Sequence, residues 1–200
     1  MAYCDFTLTR VLADFSLNIN ESTDLFPNVE PVAPTALLSM ILEENIPLLD
    51  ALNTEKARSE LAIAPILLEV RRHFNYQISF FSGIDFNVAP EKGLAGYCDF
   101  LLSRSPEQYF IKDPVVAIVE AKNENIKSGL GQCVAEMVAA QMFNQRNSIE
   151  EPVIYGIVTT GQIWKFLKLE GQTVFIDKVV FYVNFIDRIL GVLVFACQSR

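Results

Sequence analysis

Two hundred residues, 51% of them hydrophobic, hold enough apolar material for one sizeable core and exclude a largely disordered chain. A formal net charge of −8 excludes broad, tight nucleic-acid binding by summed charge alone, because neutralising phosphates is what supplies non-specific affinity. The single histidine, His73, excludes mechanisms built on paired histidines, and the scattered Cys4, Cys98, Cys133 and Cys197 offer no CxxC pair for zinc, so any chemistry falls to carboxylates and lysines.

Residues 1–34 are rich in turn formers, with "NINESTD" and Pro27, Pro31 and Pro34, and read as a short element at "FTLTRVLADFSL" followed by an irregular lead-in packed on the core. The N-terminus lacks the basic start and long apolar stretch of a signal peptide, which makes a cytoplasmic location the expectation. From Thr35 the apolar spacing is helical through Leu37, Leu38, Ile41 and Leu42, and Pro47 is expected to interrupt or end that helix. A second helix is expected from Asn53, as its cap, to about Phe74, with a kink or break at Pro65.

The period then becomes two. "YQISFF", "IDFNV", "YCDFLL", "PVVAIVEAK", "PVIYGIVTT", "QIWKFLKL" and "QTVFID" are short, rich in β-branched and aromatic residues, and bounded by turn formers, as strands are. One helix interrupts them at "SGLGQCVAEMVAAQMFNQRN", starting at Ser128 or Gly129 and burying Val134, Met137, Val138 and Met142. "ILGVLVFAC", Ile189 to Cys197, falls far short of the roughly 20 residues that span a bilayer and reads as a buried strand or helix, so no membrane partner is expected. This order predicts an α/β or α+β layer fold with a mixed sheet, one domain over 35–200 with its core at about 53–171. No GxxxxGK[ST] or GxGxxG loop is present, which removes the nucleotide-hydrolase reading.

Within "VVAIVEAK", Glu120 and Lys122 project to one side, about 6.6 Å apart along the strand, together with Val116 and Ile118, while Val115, Ala117, Val119 and Ala121 face the other way. Both faces are apolar until the C-terminal end, where a sheet of this kind places its site. Asp99 is likewise one charge in an apolar strand and needs a partner. Asp99 and Glu120 supply the oxygen ligands that Mg²⁺ prefers, and Lys122 can orient a water or hold a phosphate. That set suits phosphodiester hydrolysis without a histidine.

"GYCDF" followed by "VVAIVEAKNE" resembles the D…ExK signature of the PD-(D/E)XK nuclease superfamily, which includes restriction endonucleases and the nuclease domains of larger restriction and repair enzymes. "SELAIAPILLEVRR" before it, "GLGQCVAEM" after it and the closing "VTTGQIWKFLKL" extend the resemblance over about Asn53 to Gly171. It implies a restriction-endonuclease-like mixed central sheet flanked by helices. It also implies Mg²⁺ or Mn²⁺ held by Asp99, Glu120 and Glu60, with Lys122 and Gln132 completing the catalytic set. The implied substrate is nucleic acid, with DNA expected, and target recognition would come from a homodimer or a partner subunit of a restriction or defence-type system. The acidic balance keeps an alternative open, a catalytically silent nucleic-acid-binding or assembly module on the same fold.

Each residue also has a plainer reading. Glu120 and Lys122 form a strand-end salt bridge, Glu60 belongs to a solvated helix face with Glu55 and Lys56, and Gln132 hydrogen-bonds at a helix start. Arg71, Arg72 and His73 suit the negative end of a helix dipole, and Tyr155, Trp164 and Phe166 suit the core. Lys165 and Lys168 fit either a nucleic-acid backbone or solvent, and Cys98 and Cys133 are expected to pack in the core.

Overall fold

A computed structural model describes residues 1–149 and 151–198. Its frame is a mixed eight-stranded sheet flanked by helices, in the order β1-β7-β6-β5-β4-β3-β2, with β8 pairing β6. The strands are β1 (Asn18–Asn20), β2 (Ser79–Asp85), β3 (Tyr97–Ser103), β4 (Val115–Ala121), β5 (Val153–Thr159), β6 (Ile163–Glu170), β7 (Thr173–Ile176) and β8 (Phe181–Tyr182). The β4–β5 and β1–β7 pairs are parallel and the others antiparallel. Helix α5 (Ile126–Arg146) makes the β4–β5 crossover, since parallel neighbours need a long connection.

Two apolar layers enclose the sheet. One lies under α5 and α1 (Leu8–Asp14), with Ile118, Cys133, Met137 and Val158. The other lies under α2 (Ala36–Leu52), α4 (Ala64–His73) and α6 (Ile186–Cys197), with Ile63, Leu67, Val119, Trp164 and Leu193. Strand β4 is buried along its whole length, as a strand covered on both faces must be. Cys98, Cys133, Tyr155, Trp164 and Phe166 are core residues as expected, and Ile189–Cys197 lies within a helix. Among the described residues no helix is long and apolar enough to cross a membrane.

Several expectations need correction. The N-terminal segment is not an irregular lead-in throughout, because Asn18–Asn20 adds an edge strand parallel to β7. "YQISFF" and "IDFNV" fuse into the single strand β2, which passes through Gly83 at φ +59°, a conformation glycine adopts without steric cost. Pro47 sits inside α2 without ending it. Pro47 and Glu43, whose carbonyl loses the helical bond, are both exposed, so solvent can take that carbonyl. Asn53 does not start the second helix but ends α2 in the left-handed region, φ +43°, which asparagine tolerates. Thr54 is the cap of α3 (Glu55–Arg58), accepting from the Ala57 N–H.

The break expected at Pro65 is instead a π turn at Ser59–Ile63, which joins α3 to α4 through the Ala64 N–H bonded to the Ser59 carbonyl. Pro65 has no N–H to offer the Leu61 carbonyl four residues back, and Asn45 of α2 donates its side-chain amide to that oxygen at 2.8 Å. The substitute bond also ties α2 to the following helix.

Side-chain alternation along β4 holds from Ala117 to Ala121 but is inverted at its start. Val115 packs under α5 and Val116 on the opposite face, because the ladder shifts register between Leu102 and Ser103. Helix α5 begins at Ile126, two residues before the expected start, capped by Asn125 accepting from Lys127 N–H. Met142 is only partly buried rather than part of its sealed stripe.

Candidate active site

The site lies where β3 separates from β4. The ladder between them ends at Phe100 and Val119, and the next free amide, Ala121 N–H, donates to Asp99 Oδ2 at 2.8 Å. A carboxylate replaces a backbone acceptor there, which anchors Asp99 beside the end of β4. The neighbours of Asp99 follow the same opening: Cys98 packs under α5, whereas Phe100 packs in the opposite layer.

Glu120 is 1% exposed and sits under α5. Gln132 Nε2 donates to Glu120 Oε2 at 2.9 Å, and Lys122 Nζ lies 2.5 Å from Oε1. That last contact is an ion pair without a well-directed hydrogen bond to the oxygen. Burial, and then the neighbouring Asp99 charge, push the Glu120 carboxyl up to about 8, against the pull of Lys122. Burial pulls Lys122 down, but the Glu120 charge and contact outweigh it and the net direction is upward. The two shifts compete, since Lys122 is raised only as far as Glu120 is ionised. Lys122 holds its proton throughout, and Glu120 ionises less readily than a solvated carboxyl, so the contact becomes a full ion pair only once Glu120 gives up its proton.

Space for Lys122 comes from Gly129. A Cβ at that position would lie 2.7 Å from Val158 Cγ1 and 3.0 Å from Lys122 Cγ, so α5 can approach β4 and β5 only with glycine there. The Lys122 backbone N–H bonds the Thr159 carbonyl, fixing the strand end that carries it.

Of the remaining expected residues, Gln132 reaches the centre and Glu60 reaches only its rim. Glu60 lines a cleft of about 300 Å³ with Asp99 and Gly83, but its carboxylate pairs with Lys56 at 2.8 Å and is 60% exposed. Glu55, at 4.0 Å, is the helix carboxylate paired with Lys122. Residue spacing on an unbroken helix gives no hint of this, because the π turn changes the phase between Glu55 and Glu60.

Two further residues carry the site without any sequence signal. Glu136, fully buried one turn along α5, accepts from the same Gln132 Nε2 at 3.0 Å, while its Oε2 has no hydrogen-bond partner among the described residues. Burial and then the Glu120 charge raise it well above the ordinary carboxyl range. Arg58, 5% exposed, donates to Asn123 Oδ1, the Thr160 carbonyl, Gln162 Oε1 and Asn53 Oδ1, so among the described residues its charge is met by dipoles rather than by a carboxylate. It clamps the loop that follows Lys122 to the β5–β6 turn. A spaced run of neutral amides and a lone arginine has no motif by which to be found.

The chain matches no family model, and no curated protein matches it. A larger cleft, about 600 Å³, lies at the far end of α5 among Gln141, Gln145 and Pro152 and brings no comparable set together. Among the described residues no three His, Cys, Asp or Glu side chains form a ready-made metal cage. What the centre does offer is two mutually repelling carboxylates, an ammonium in contact with one of them, and an amide that fixes its rotamer.

Proposed function

We propose that the protein is a metal-dependent nuclease of the PD-(D/E)XK type, hydrolysing phosphodiester bonds of nucleic acid, with DNA the expected substrate. The observation that carries this reading is the meeting of Asp99, Glu120, Lys122 and Gln132 at one strand end, in the order in which that superfamily arranges them. Asp99 and Glu120 fit a hard divalent ion, Mg²⁺ or Mn²⁺, because adjacent carboxylates repel until a cation lies between them and because a buried Glu120 oxygen accepts no directed hydrogen bond. Mg²⁺ keeps several waters and needs only one or two carboxylates from the protein, which agrees with so sparse a set. When bound, the metal would lower the pKa of a water and neutralise charge growing on the phosphate.

The chain's own residues do the rest of the work. Gln132 holds the Glu120 carboxylate in one orientation and leaves Oε1 toward Lys122. Lys122 keeps its proton on Nζ and offers a compact positive charge to the scissile phosphate or the attacking water. Asp99, pinned by the Ala121 amide, faces the exposed cleft with Gly83, the route open to a strand of substrate. The net charge of −8 supports target recognition by a second copy or a partner subunit rather than by broad surface charge.

A cleavage assay on DNA and RNA with Mg²⁺ or Mn²⁺, using wild type and Lys122→Ala, tests the reading. Cleavage that requires Lys122 is the expected result. If wild type cuts nothing, or Lys122→Ala cuts equally fast, the silent binding or assembly module becomes the better account.

A further inference from the structure

Beside the acid centre, between the first turn of α5 and the ends of β6 and β7, lies a cleft of about 440 Å³. Lys127, Lys165 and Lys178 line it, with Glu21 and Asp177 as its carboxylates. Of the five lysines outside the cleft four are matched, Lys56 with Glu60, Lys112 with Glu107, Lys168 with Glu170 and Lys122 with Glu120, and only Lys92 shows no such pair among the described residues. Among the described residues, none of the three cleft lysines has a carboxylate oxygen within 4.0 Å. Lys165 is half-buried, with only a long 3.4 Å bond to the Val179 carbonyl, and burial lowers its pKa. Asp177 commits Oδ1 to the Leu25 and Val179 amides, and its charge, with that of Glu21, only partly offsets the effect of burial on Lys165.

Strand register fixes where this cleft lies relative to the centre. Glu120 pairs with Val158, and Val158 with Lys165. Cross-strand partners share a face, so Lys165 stands on the α5 side two strand spacings, about 10 Å, from Glu120. Gly129 and Val158 form the wall between them. Tyr182, 50% exposed, pairs across from Ile163, a residue of the cleft wall, and so stands at its rim.

We propose that this cleft binds the backbone of a single nucleic-acid strand next to the scissile position, with Lys127, Lys165 and Lys178 on phosphates and Tyr182 stacking on an unpaired base. Its placement beside the acid centre rests on the nuclease reading; the binding itself does not. Lysines interleaved with an exposed aromatic are how single strands are held, and a base can stack on Tyr182 only when the opposite strand is absent. An inorganic anion would have no use for the aromatic rim or the apolar wall of Ile163, Leu130 and Ile176.

Anisotropy of a fluorescein-labelled 15-nucleotide single strand, titrated with protein in EDTA so that nothing is cut, reads the cleft directly. Replacing all three lysines by alanine should weaken binding on the order of a hundredfold at 0.1 M salt and lower the slope of log affinity against log salt by about 2, the counterion release of three single-strand phosphates. Tyr182→Ala should weaken it roughly tenfold, and Lys168→Ala, whose lysine is already paired with Glu170, should leave it unchanged. The proposal is overturned if the triple variant binds like wild type with the same slope. It is also overturned if tripolyphosphate displaces the strand at equal charge and Tyr182→Ala has no effect, which would make the cleft a general anion sink. A wild type that cuts nothing with Mg²⁺ or Mn²⁺, yet binds through these lysines, sinks the nuclease reading and keeps the cleft. A wild type that cuts, with KM unchanged in the triple variant, does the reverse.

Discussion

The two flanks of Lys122 use the same residue type in opposite ways. On the α5 flank, Glu120 and Glu136 are sealed from water, share Gln132 as a donor, and are held above the ordinary carboxyl range. On the α3 flank, the Glu55 and Glu60 side chains are 48% and 60% exposed, and the Lys56–Glu60 pair is of the solvated kind that contributes little. A sealed carboxyl has one available position and a protonation state that responds to its neighbours, whereas an exposed one has many positions. The effect of a substitution should therefore follow the flank rather than the residue type.

The largest expected effect is catalytic and tests whether the sealed flank is the working one. Lys122→Ala should lower the cleavage rate by about 10²–10⁴, the range for removing one preorganised charge or proton-transfer group, while the Mn²⁺-induced rise in Tm persists. Asp99→Asn should remove both cleavage and that rise. Lys122→Arg should restore little, because a planar guanidinium does not fit the place of a compact ammonium.

Next in size is the pH dependence of the metal-free protein. Glu120 titrates near 8 in the folded state against an ordinary value of 4.5, so between those values the folded chain holds more protons than the unfolded one. Stability should then fall as pH rises from about 4.5 to 8 and level off above, by a few kcal/mol in all, with Glu136 acting in the same direction. Lys122 is raised above its ordinary 10.5 and contributes its own loss only at higher pH. Melting in EDTA across pH 5–8 measures this, and Glu120→Gln should flatten the slope. A flat wild-type curve, or an equal slope in the variant, would break the contrast between flanks.

Gly129→Ala should destabilise by about 1–3 kcal/mol in urea unfolding, since the added methyl meets Val158 at 2.7 Å across a packed layer. The smallest effect belongs to the exposed flank: Glu60→Ala should change stability by less than about 0.5 kcal/mol. Its cleavage rate sharpens the comparison, because a large loss would mean that Glu60 leaves Lys56 to join the metal site. Glu55→Gln should then matter less than Glu60→Ala, and more if Glu60 stays where it is.

Strands and the central constellation were legible because burial imposes alternation on β6 and β7 and an unbroken run of β-branched and small apolar residues on β4 and β5, and because Asp99, Glu120 and Lys122 stand isolated against apolar neighbours. The edge strands β1 and β8, of three and two residues, are too short for any period to register. Gln132 could be read only through the resemblance, which places a glutamine on the helix after the ExK strand. Glu136 could not, because an acid in the middle of an apolar helix signals only that something unusual is buried there. Glu55 was hidden by backbone geometry: a π turn adds one residue to a turn, and no side-chain pattern announces it. Arg58 was hidden because its partners come from three separated segments.

The bond from Asn45 to the Leu61 carbonyl makes two positions of this chain interdependent. The carbonyl is open to Asn45 only because Pro65 cannot claim it, and Pro65 is tolerated within a packed helix only because Asn45 satisfies what it leaves unpaired. A change at either position alters the worth of the other: a residue with an N–H at 65 would compete for the oxygen, and an apolar residue at 45 would strand it. Related chains that share this π turn should then vary at 45 and 65 together or not at all, a pairing set by one missing hydrogen atom.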